Sequence, residues 1–334
     1  MRFLQVHLSP DRGGADVAIS NLDTALQRAG HSSHVERHLA ESWIWGGKND
    51  LVLLHSFSQE NRGHYLDCLK AVRKASVPHA IVMHDYWSFC HQTNLVMPNA
   101  GWKRCRVAAD TPCCPPDRCQ HRVSESLLAA DLVDTDIVCF TRASAGLFRD
   151  AGFNRIHVIP HGVDTLAFSP MGTNDGAFRV LFTNAWGAKE IKGYLHWDWL
   201  KRHFKGRDDV VLAETLGQTA HRGMPNFLQS GDVALFLSLW EETFGLVVAE
   251  AMACGTPVIS YPVGIAPEII DGSNGIIVPT SNPADVADAI ERLMLMSRPE
   301  RDEMGERARR TILSNFTLER MASDYVALAR ELRS

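Results

Sequence analysis

Two carboxylates frame the stretch with the clearest chemical promise, EETFGLVVAEAMACGTPVIS at residues 241–260. Glu242 precedes a Phe-Gly pair, and Glu250 follows eight positions later inside an otherwise apolar run. DVALFLSLW, just before it, reads as a buried strand, and GLVVAEAMACG reads as a helix from about Gly245 to a stop at Gly255. Glu242 and Thr243 then lie in the strand-to-helix loop, and Glu250 on the second helical turn. A carboxylate flanked by apolar residues is costly to bury unless its oxygens accept hydrogen bonds. The two neighbouring hydroxyls of a ribose supply such hydrogens, and Glu242 is placed to accept from hydroxyls of a second sugar. The amides of Phe244, Gly245 and Leu246 open the helix without intrahelical partners, and Gly245 lets a sugar approach the backbone closely. A Glu250 that faces solvent or pairs with an arginine is the plainer reading, but it leaves Glu242, the Phe-Gly pair and CGTPVI unexplained.

Gly13 and Gly14 precede the first helix, where the dipole and the freedom of glycine suit close approach of a diphosphate or an acceptor; an ordinary tight turn is the alternative. Five of the eight cysteines, Cys90, Cys105, Cys113, Cys114 and Cys119, cluster with His91 and His121. Thiolates in a loop-rich segment suit a structural zinc. The spacing is irregular, however, and holds no pair separated by two residues. Buried small side chains in a lid over an acceptor cleft are the other reading.

These residues need elements to position them. A length of 334 residues favours two domains, and 45% hydrophobic with 22% charged residues fits a globular chain with a sizeable core. The net charge of −5 argues against a nucleic-acid partner. The N-terminus, MRFLQVHLSP, lacks the pattern of a signal peptide, and no apolar run is long enough to span a membrane. A cytoplasmic location is expected. Trp43 and Trp45 read either as an apolar tip for peripheral membrane contact or as a pair capping a core. Short apolar runs (RFLQVHL, DLVLLHSF, HAIVMHD, DIVCF, HVIPHGVD) alternate with helix-length segments, and the rhythm restarts at FRVLFTNAW after the linker-like DTLAFSPMGTNDGAF. This is the β-α-β pattern of doubly wound parallel sheets. Two such Rossmann-like halves bind ligands in a cleft at the carboxyl ends of their strands.

At EETFGLVVAEAMACGTPVI the chain resembles the retaining glycosyltransferases of family 4, glycosyl transferases group 1, which have the GT-B fold. Their pattern is a Glu, seven residues and a second Glu, which Glu242 and Glu250 fit. The likeness extends to GGADVAISNLDTALQRAGH, similar to the family's first loop and helix, to VIPHGVDTLAFSP, similar to its interdomain passage, and to FTLERMASDYVAL, similar to its C-terminal helix. The resemblance implies an acceptor domain over 1–170 carrying the Cys-rich segment 90–121, a nucleotide-sugar domain over 171–315, and a returning helix over 316–334, the two sheets facing a central cleft.

The resemblance further implies that Glu250 holds the donor ribose and that Glu242, Thr243 and the amides of Phe244, Gly245 and Leu246 hold the transferred sugar. In FTNAWGAKEIKG, Lys192 matches the family lysine that meets the diphosphate. The family arginine has no counterpart; its place falls near Ala185 or Trp186. Lys189 is either its substitute, as a point charge and not a planar fork, or a solvated loop charge. His84, which with Asp85 ends HAIVMHD, is expected to bond a donor-sugar hydroxyl or to steady the transition state. The implied reaction retains anomeric configuration, needs neither a protein nucleophile nor a metal, and moves a sugar from a nucleotide-diphosphate sugar to a glycan, lipid-linked or small-molecule acceptor. Glycan, polysaccharide or glycoconjugate biosynthesis is its setting. Two rivals stand beside it: a nucleotide-sugar epimerase on a GT-B-like fold, and a non-catalytic, metal-organised binding module whose only support is the missing arginine. A metal-dependent GT-A transferase would need Asp-x-Asp after a strand, whereas DTD at Asp134–Asp136 precedes one.

Overall fold

A computed structural model describes residues 1–7, 13–37, 48–55, 62–86, 88, 96–97, 103–104, 132–171, 176–183, 190–215 and 223–334. The described residues of Met1–Leu95, Cys105–Gly162 and Leu318–Ser334 form one compact unit, and those of Val96–Arg104 and Val163–Thr317 a second.

The first unit contains β1 (Arg2–Val6), α1 (Gly14–Arg28), β2 (Ser32–Glu36), β3 (Leu51–His55), α2 (Arg62–Lys74) and β4 (His79–Val82). After β5 (Val96–Met97) and β6 (Lys103–Arg104), a short antiparallel pair grouped with the second unit, come β7 (Ile137–Cys139), α3 (Arg142–Asp150) and β8 (Ile156–Val158). Among the described residues the sheet order is β2-β1-β3-β4-β7-β8, with every pairing parallel. β3, LVLLH, is buried at every position, as a strand covered on both faces must be. α1 buries Ala18, Ile19, Leu22, Ala25 and Leu26, one stripe at helical spacing. Ser32–Glu36 carries only a weak apolar signal, yet it pairs with β1 as the edge strand, where half its side chains need no core.

The second unit contains β9 (Phe178–Thr183), α4 (Tyr194–His203), β10 (Val210–Thr215), α5 (Met224–Gln229), β11 (Val233–Phe236), α6 (Leu246–Ala253), β12 (Val258–Ser260), α7 (Ala266–Ile269), β13 (Gly275–Ile277), α8 (Pro283–Leu295) and α9 (Arg298–Asn315). Its strands are parallel in the order β10-β9-β11-β12-β13. Its core gathers Phe178, Val180 and Phe182 from β9 against Trp197 and Leu200 of α4. The last helix, α10 (Leu318–Glu331), belongs to the first unit and packs its Leu318, Met321, Ala322 and Tyr325 face beside α1.

Each sheet reverses its winding once, between β1 and β3 in the first unit and between β9 and β11 in the second. Ligands of doubly wound sheets gather outside the strand carboxyl ends at that reversal, because the loops there diverge to opposite faces. Among the described residues, no helix is long and apolar enough to cross a membrane.

Candidate functional site

In the second unit, α6 is the element that carries Glu250. It begins at Leu246 with Gly245 as its N-cap, at φ +93 and with no capping side chain, and Val248 N returns to Gly245 O at 3.0 Å. A Cβ on Gly245 would meet the Phe236 ring at 2.9 Å. The helix ends at the expected place. Gly255, at φ +75, turns the chain while its amide and that of Thr256 return to Met252 O and Ala251 O. α9 crosses this turn so closely that a Cβ on Gly305 would fall 2.1 Å from Gly255 O. Arg309 of the same helix donates to Ala253 O and, at 3.1 Å, to Phe168 O. The guanidinium thus satisfies a terminal carbonyl and opposes the negative end of the helix dipole. With both ends fixed, Glu250 is held buried at 3% exposure between Ala249 and Ala251.

Glu242 and Lys192 lie 50 residues apart in sequence and meet because β11 neighbours β9. Lys192 Nζ is 2.5 Å from Glu242 Oε1, and Ser238 Oγ donates to that oxygen at 2.7 Å. The ammonium also lies 4.8 Å from the centre of the Trp240 ring, a cation–π contact. The two loops are laced by Leu239 N to Ile191 O at 2.7 Å. Two glycines permit this closeness. Gly193 caps α4 at φ +81, and a Cβ there would sit 2.1 Å from Leu237 O. Gly264, at φ +58, would place a Cβ 2.2 Å from Phe244 O and 2.9 Å from Glu242 Cβ. Phe244 O is itself held by Ile265 N at 2.7 Å. Thr243 and Phe244 are buried beside this contact. Sequence reading gives Glu242 to sugar hydroxyls and Lys192 to phosphate; in the structure the two occupy each other, since a buried carboxylate takes the nearest cation.

In the first unit, four imidazoles stand at strand carboxyl ends: His7 after β1, His55 closing β3, His84 after β4 and His161 after β8. His55 Nδ1 is 2.9 Å from His84 Nε2, and the His84 ring lies 6.0 Å from the His161 ring at an interplanar angle of 16°. Phe140 packs against His161 at 3.7 Å. His7 Nε2 lies 3.4 Å from Asp16 of α1. Burial, reinforced by His7, pushes His84 down to about 3. Burial and the neighbouring imidazoles also hold His55 and His161 well below the usual histidine range. At neutral pH these three rings are uncharged, and they offer hydrogen bonds in place of a cationic charge. Only His84 stands out in the sequence reading. The signal for the others was an apolar strand followed at once by His, in LQVH, VLLH and VIPH.

Gly13 and Gly14 are exposed at the start of α1, with nothing within 4 Å of a Cβ added to either and no left-handed backbone. Neither packing nor φ therefore requires glycine there. Asp136 closes the turn before β7 and pairs with Arg155 at 2.7 Å and His157 at 2.8 Å, a structural engagement. Lys189, Ala185, Trp186, Trp43, Trp45 and the cluster Cys90, Cys105, Cys113, Cys114 and Cys119 lie outside the described residues. Among the described residues Cys68, Cys139 and Cys254 are buried free thiols, with burial pushing Cys68 and Cys254 up to about 12.

The sequence profile of "Glycosyl transferases group 1" matches residues 212–311, the stretch that carries Glu242, α6 and Glu250. N-acetyl-alpha-D-glucosaminyl L-malate synthase of Bacillus anthracis is 40% identical over 99 residues, covering 29% of this chain and 26% of that protein. A D-inositol 3-phosphate glycosyltransferase of Paenarthrobacter aurescens is 32% identical over 184 residues, covering 43% of this chain and 44% of its own length. Residues 212–311 thus resemble the group 1 glycosyltransferases. These matches span less than half the length of either relative. Sucrose-phosphate synthase from Thermosynechococcus elongatus shares the fold of this chain, with a TM-score of 0.70 at 16% identity over 100% of this chain and 99% of that one. Anabaena HepE in complex with UDP and glucose does so with a TM-score of 0.67 at 14% identity, over 99% and 100%. The expected GT-B architecture of two parallel-sheet α/β units is thus the one present. His84 and Lys192 fall outside the matched residues 212–311.

Proposed function

We propose that this chain transfers a sugar from a nucleoside-diphosphate sugar to an acceptor hydroxyl, with retention at the anomeric carbon and without a metal. One observation carries the reading: Lys192, Glu242, the uncapped start of α6 and the buried Glu250 are gathered at the carboxyl-end reversal of a single sheet. A nucleoside-diphosphate sugar has the groups to satisfy all four. Glu250 accepts from the ribose hydroxyls. Lys192 and the first amides of α6 meet the diphosphate, where negative charge grows as the sugar leaves. A charge-assisted contact from Lys192 contributes about 1.5–3 kcal/mol. Glu242, released from Lys192, accepts from hydroxyls of the transferred sugar together with Thr243 and the backbone at Phe244 and Gly245. Gly13 and Gly14 leave open space in which a ligand can approach the start of α1. In the first unit His84, neutral at physiological pH, exchanges a hydrogen bond with a sugar hydroxyl. Lys189 is proposed as a second phosphate contact in place of the family arginine.

In the step itself the bond between the anomeric carbon and the phosphate oxygen breaks. The acceptor oxygen bonds to the same face, and its proton passes to the leaving phosphate. No side chain is needed as nucleophile. The solved HepE complex, whose ligands are UDP and glucose, supports the donor class. The names of the two relatives, with D-inositol 3-phosphate and L-malate, support a small hydroxyl-bearing acceptor over a lipid-linked or polymeric one.

The test is a panel of uridine, guanosine, adenosine and thymidine diphosphate sugars, incubated with polyol acceptors in the presence and absence of EDTA. The expected result is one donor consumed at the same rate in chelator, with the product anomer seen by NMR matching the donor. An inverted product contradicts retention. Activity lost in a still-folded protein and restored by magnesium or manganese contradicts metal independence. An epimerised donor formed without acceptor replaces the transferase reading altogether.

A further inference from the structure

His84 terminates a line of side chains that crosses four strands of the first sheet. β1 and β2 align Phe3 with Ser33, β1 and β3 align Gln5 with Leu53, and β3 and β4 align His55 with Val82. Gln5 lies two residues beyond Phe3, His55 two beyond Leu53, and His84 two beyond Val82. A step of two keeps a side chain on the same face. Ser33, Gln5, His55 and His84 therefore share one face and climb diagonally towards the carboxyl ends.

Each step is bridged. Gln5 Nε2 donates to Ser33 Oγ at 3.1 Å, His55 Nε2 lies 3.1 Å from Gln5 Oε1, and His55 Nδ1 lies 2.9 Å from His84 Nε2. Gln5 and His55 are almost fully buried, at 0% and 1% exposure, so neither can exchange these partners for bulk water. With the Gln5 amide nitrogen on the Ser33 side and its carbonyl oxygen on the His55 side, the order of the groups sets the protons. Gln5 gives its amide hydrogen to Ser33 and presents its carbonyl oxygen to His55. An amide oxygen only accepts, so His55 carries its proton on Nε2. A neutral His55 then accepts at Nδ1, and the hydrogen in that contact must come from His84 Nε2. Burial keeps both rings neutral, so each holds one proton.

We infer that Ser33, Gln5 and His55 fix the tautomer of His84, with its proton on Nε2 and its lone pair on Nδ1. Gln5 and His55 are positioning residues. They make His84 an acceptor for a substrate hydroxyl and deny it the role of proton donor at Nδ1. The inference about catalysis rests on the proposed contact of His84 with substrate; the tautomer itself does not. Among the described residues, His161 and Phe140 face His84, and His7, backed by Asp16, faces His55.

The experiment is ¹⁵N NMR of histidine-labelled full-length protein at neutral pH, with His84 assigned through His84→Gln. Wild type is expected to show His84 protonated at Nε2 only. Gln5→Leu, two side chains away, is expected to shift His84 towards a mixture of tautomers. In kinetics, Gln5→Leu and His55→Leu should lower kcat about tenfold or more, as misplaced tautomers do elsewhere, while nucleotide affinity stays within about twofold. His55→Gln, which can again accept from His84 and donate to Gln5, should restore most of kcat. A wild-type His84 protonated at Nδ1 overturns the inference, as does a Gln5→Leu protein with an unchanged His84 tautomer. Full turnover in His84→Gln overturns instead the substrate contact of His84 and leaves the NMR result to stand by itself.

Discussion

Lys192 Nζ stands 2.5 Å from Glu242 Oε1, at a carboxylate whose side chain is 7% exposed. The cation proposed for the phosphate and the acceptor proposed for the sugar are held by each other. In the proposed function, binding of a nucleotide sugar exchanges this ion pair for two ligand contacts, at a carboxylate already largely withdrawn from solvent. The pair therefore prepares the site, and its two members must be tested together.

Lys192→Met removes the cation and leaves Glu242 buried beside Ser238. Lys192 itself is about a quarter exposed. Stability should fall by about 1–3 kcal/mol, less than for a fully buried pair. Turnover should fall about a hundredfold or more. Adding Glu242→Gln should return stability to within about 1 kcal/mol of wild type without returning turnover. Urea melts and steady-state rates on all four proteins measure both. Strict additivity of the two stability losses would show that Lys192 and Glu242 are not energetically coupled.

Gly193 and Gly14 make opposite predictions for the same substitution. Gly193→Ala forces a Cβ to within 2.1 Å of Leu237 O at a left-handed backbone position, and should cost about 1–3 kcal/mol or more while displacing Lys192. Gly14→Ala meets open space in the first turn of α1 and should keep or raise stability by up to about 1 kcal/mol. A loss of activity in Gly14→Ala, with stability intact, reports a ligand approaching that turn. Activity equal to wild type would leave the glycine pair a plain turn.

Much of this arrangement was legible in the residues. The apolar runs LVLL and VALF lie in β3 and β11, and Gly245 and Gly255 bracket α6 as glycine brackets a helix, at its cap and at its left-handed stop. Edge strand β2 was not legible, because SSHVE carries little apolar signal. Nor were the two constellations. Lys192 meets Glu242, and His55 meets His84, only because β9 lies beside β11 and β3 beside β4. Strand order is set by packing across the whole sheet, and no local pattern states it.

The neutral imidazoles make stability depend on pH. In the unfolded chain each takes up a proton near pH 6.5, whereas in the folded chain burial holds His55, His84 and His161 uncharged well below that. Protons therefore bind the unfolded state preferentially, and stability is lost as pH falls from about 6.5 towards 5, by up to about 1.4 kcal/mol per pH unit for each such ring. His79 and His196, also lowered by burial, act in the same direction. Asp209, Asp271 and Glu300 have lowered values, so their stabilisation is fully present above the ordinary carboxylate range and is lost only as pH falls below it. Calorimetric melts between pH 7.5 and 5, windows chosen about the histidine value, should steepen below about 6.5, and His55→Gln should reduce the slope. A flat profile over that range would contradict neutral burial of the cluster.

In the proposed function the second unit holds a nucleoside diphosphate by its ribose at Glu250. Isothermal titration of the full chain with uridine, guanosine, adenosine and thymidine diphosphates, repeated on Glu250→Ala, measures it directly. The expected result is binding of at least one diphosphate by wild type, weakened about a hundredfold in the variant with the melting transition retained, as expected for the loss of two hydrogen bonds to a carboxylate. Equal affinity in a folded Glu250→Ala protein, or no binding of any diphosphate by wild type, would contradict it.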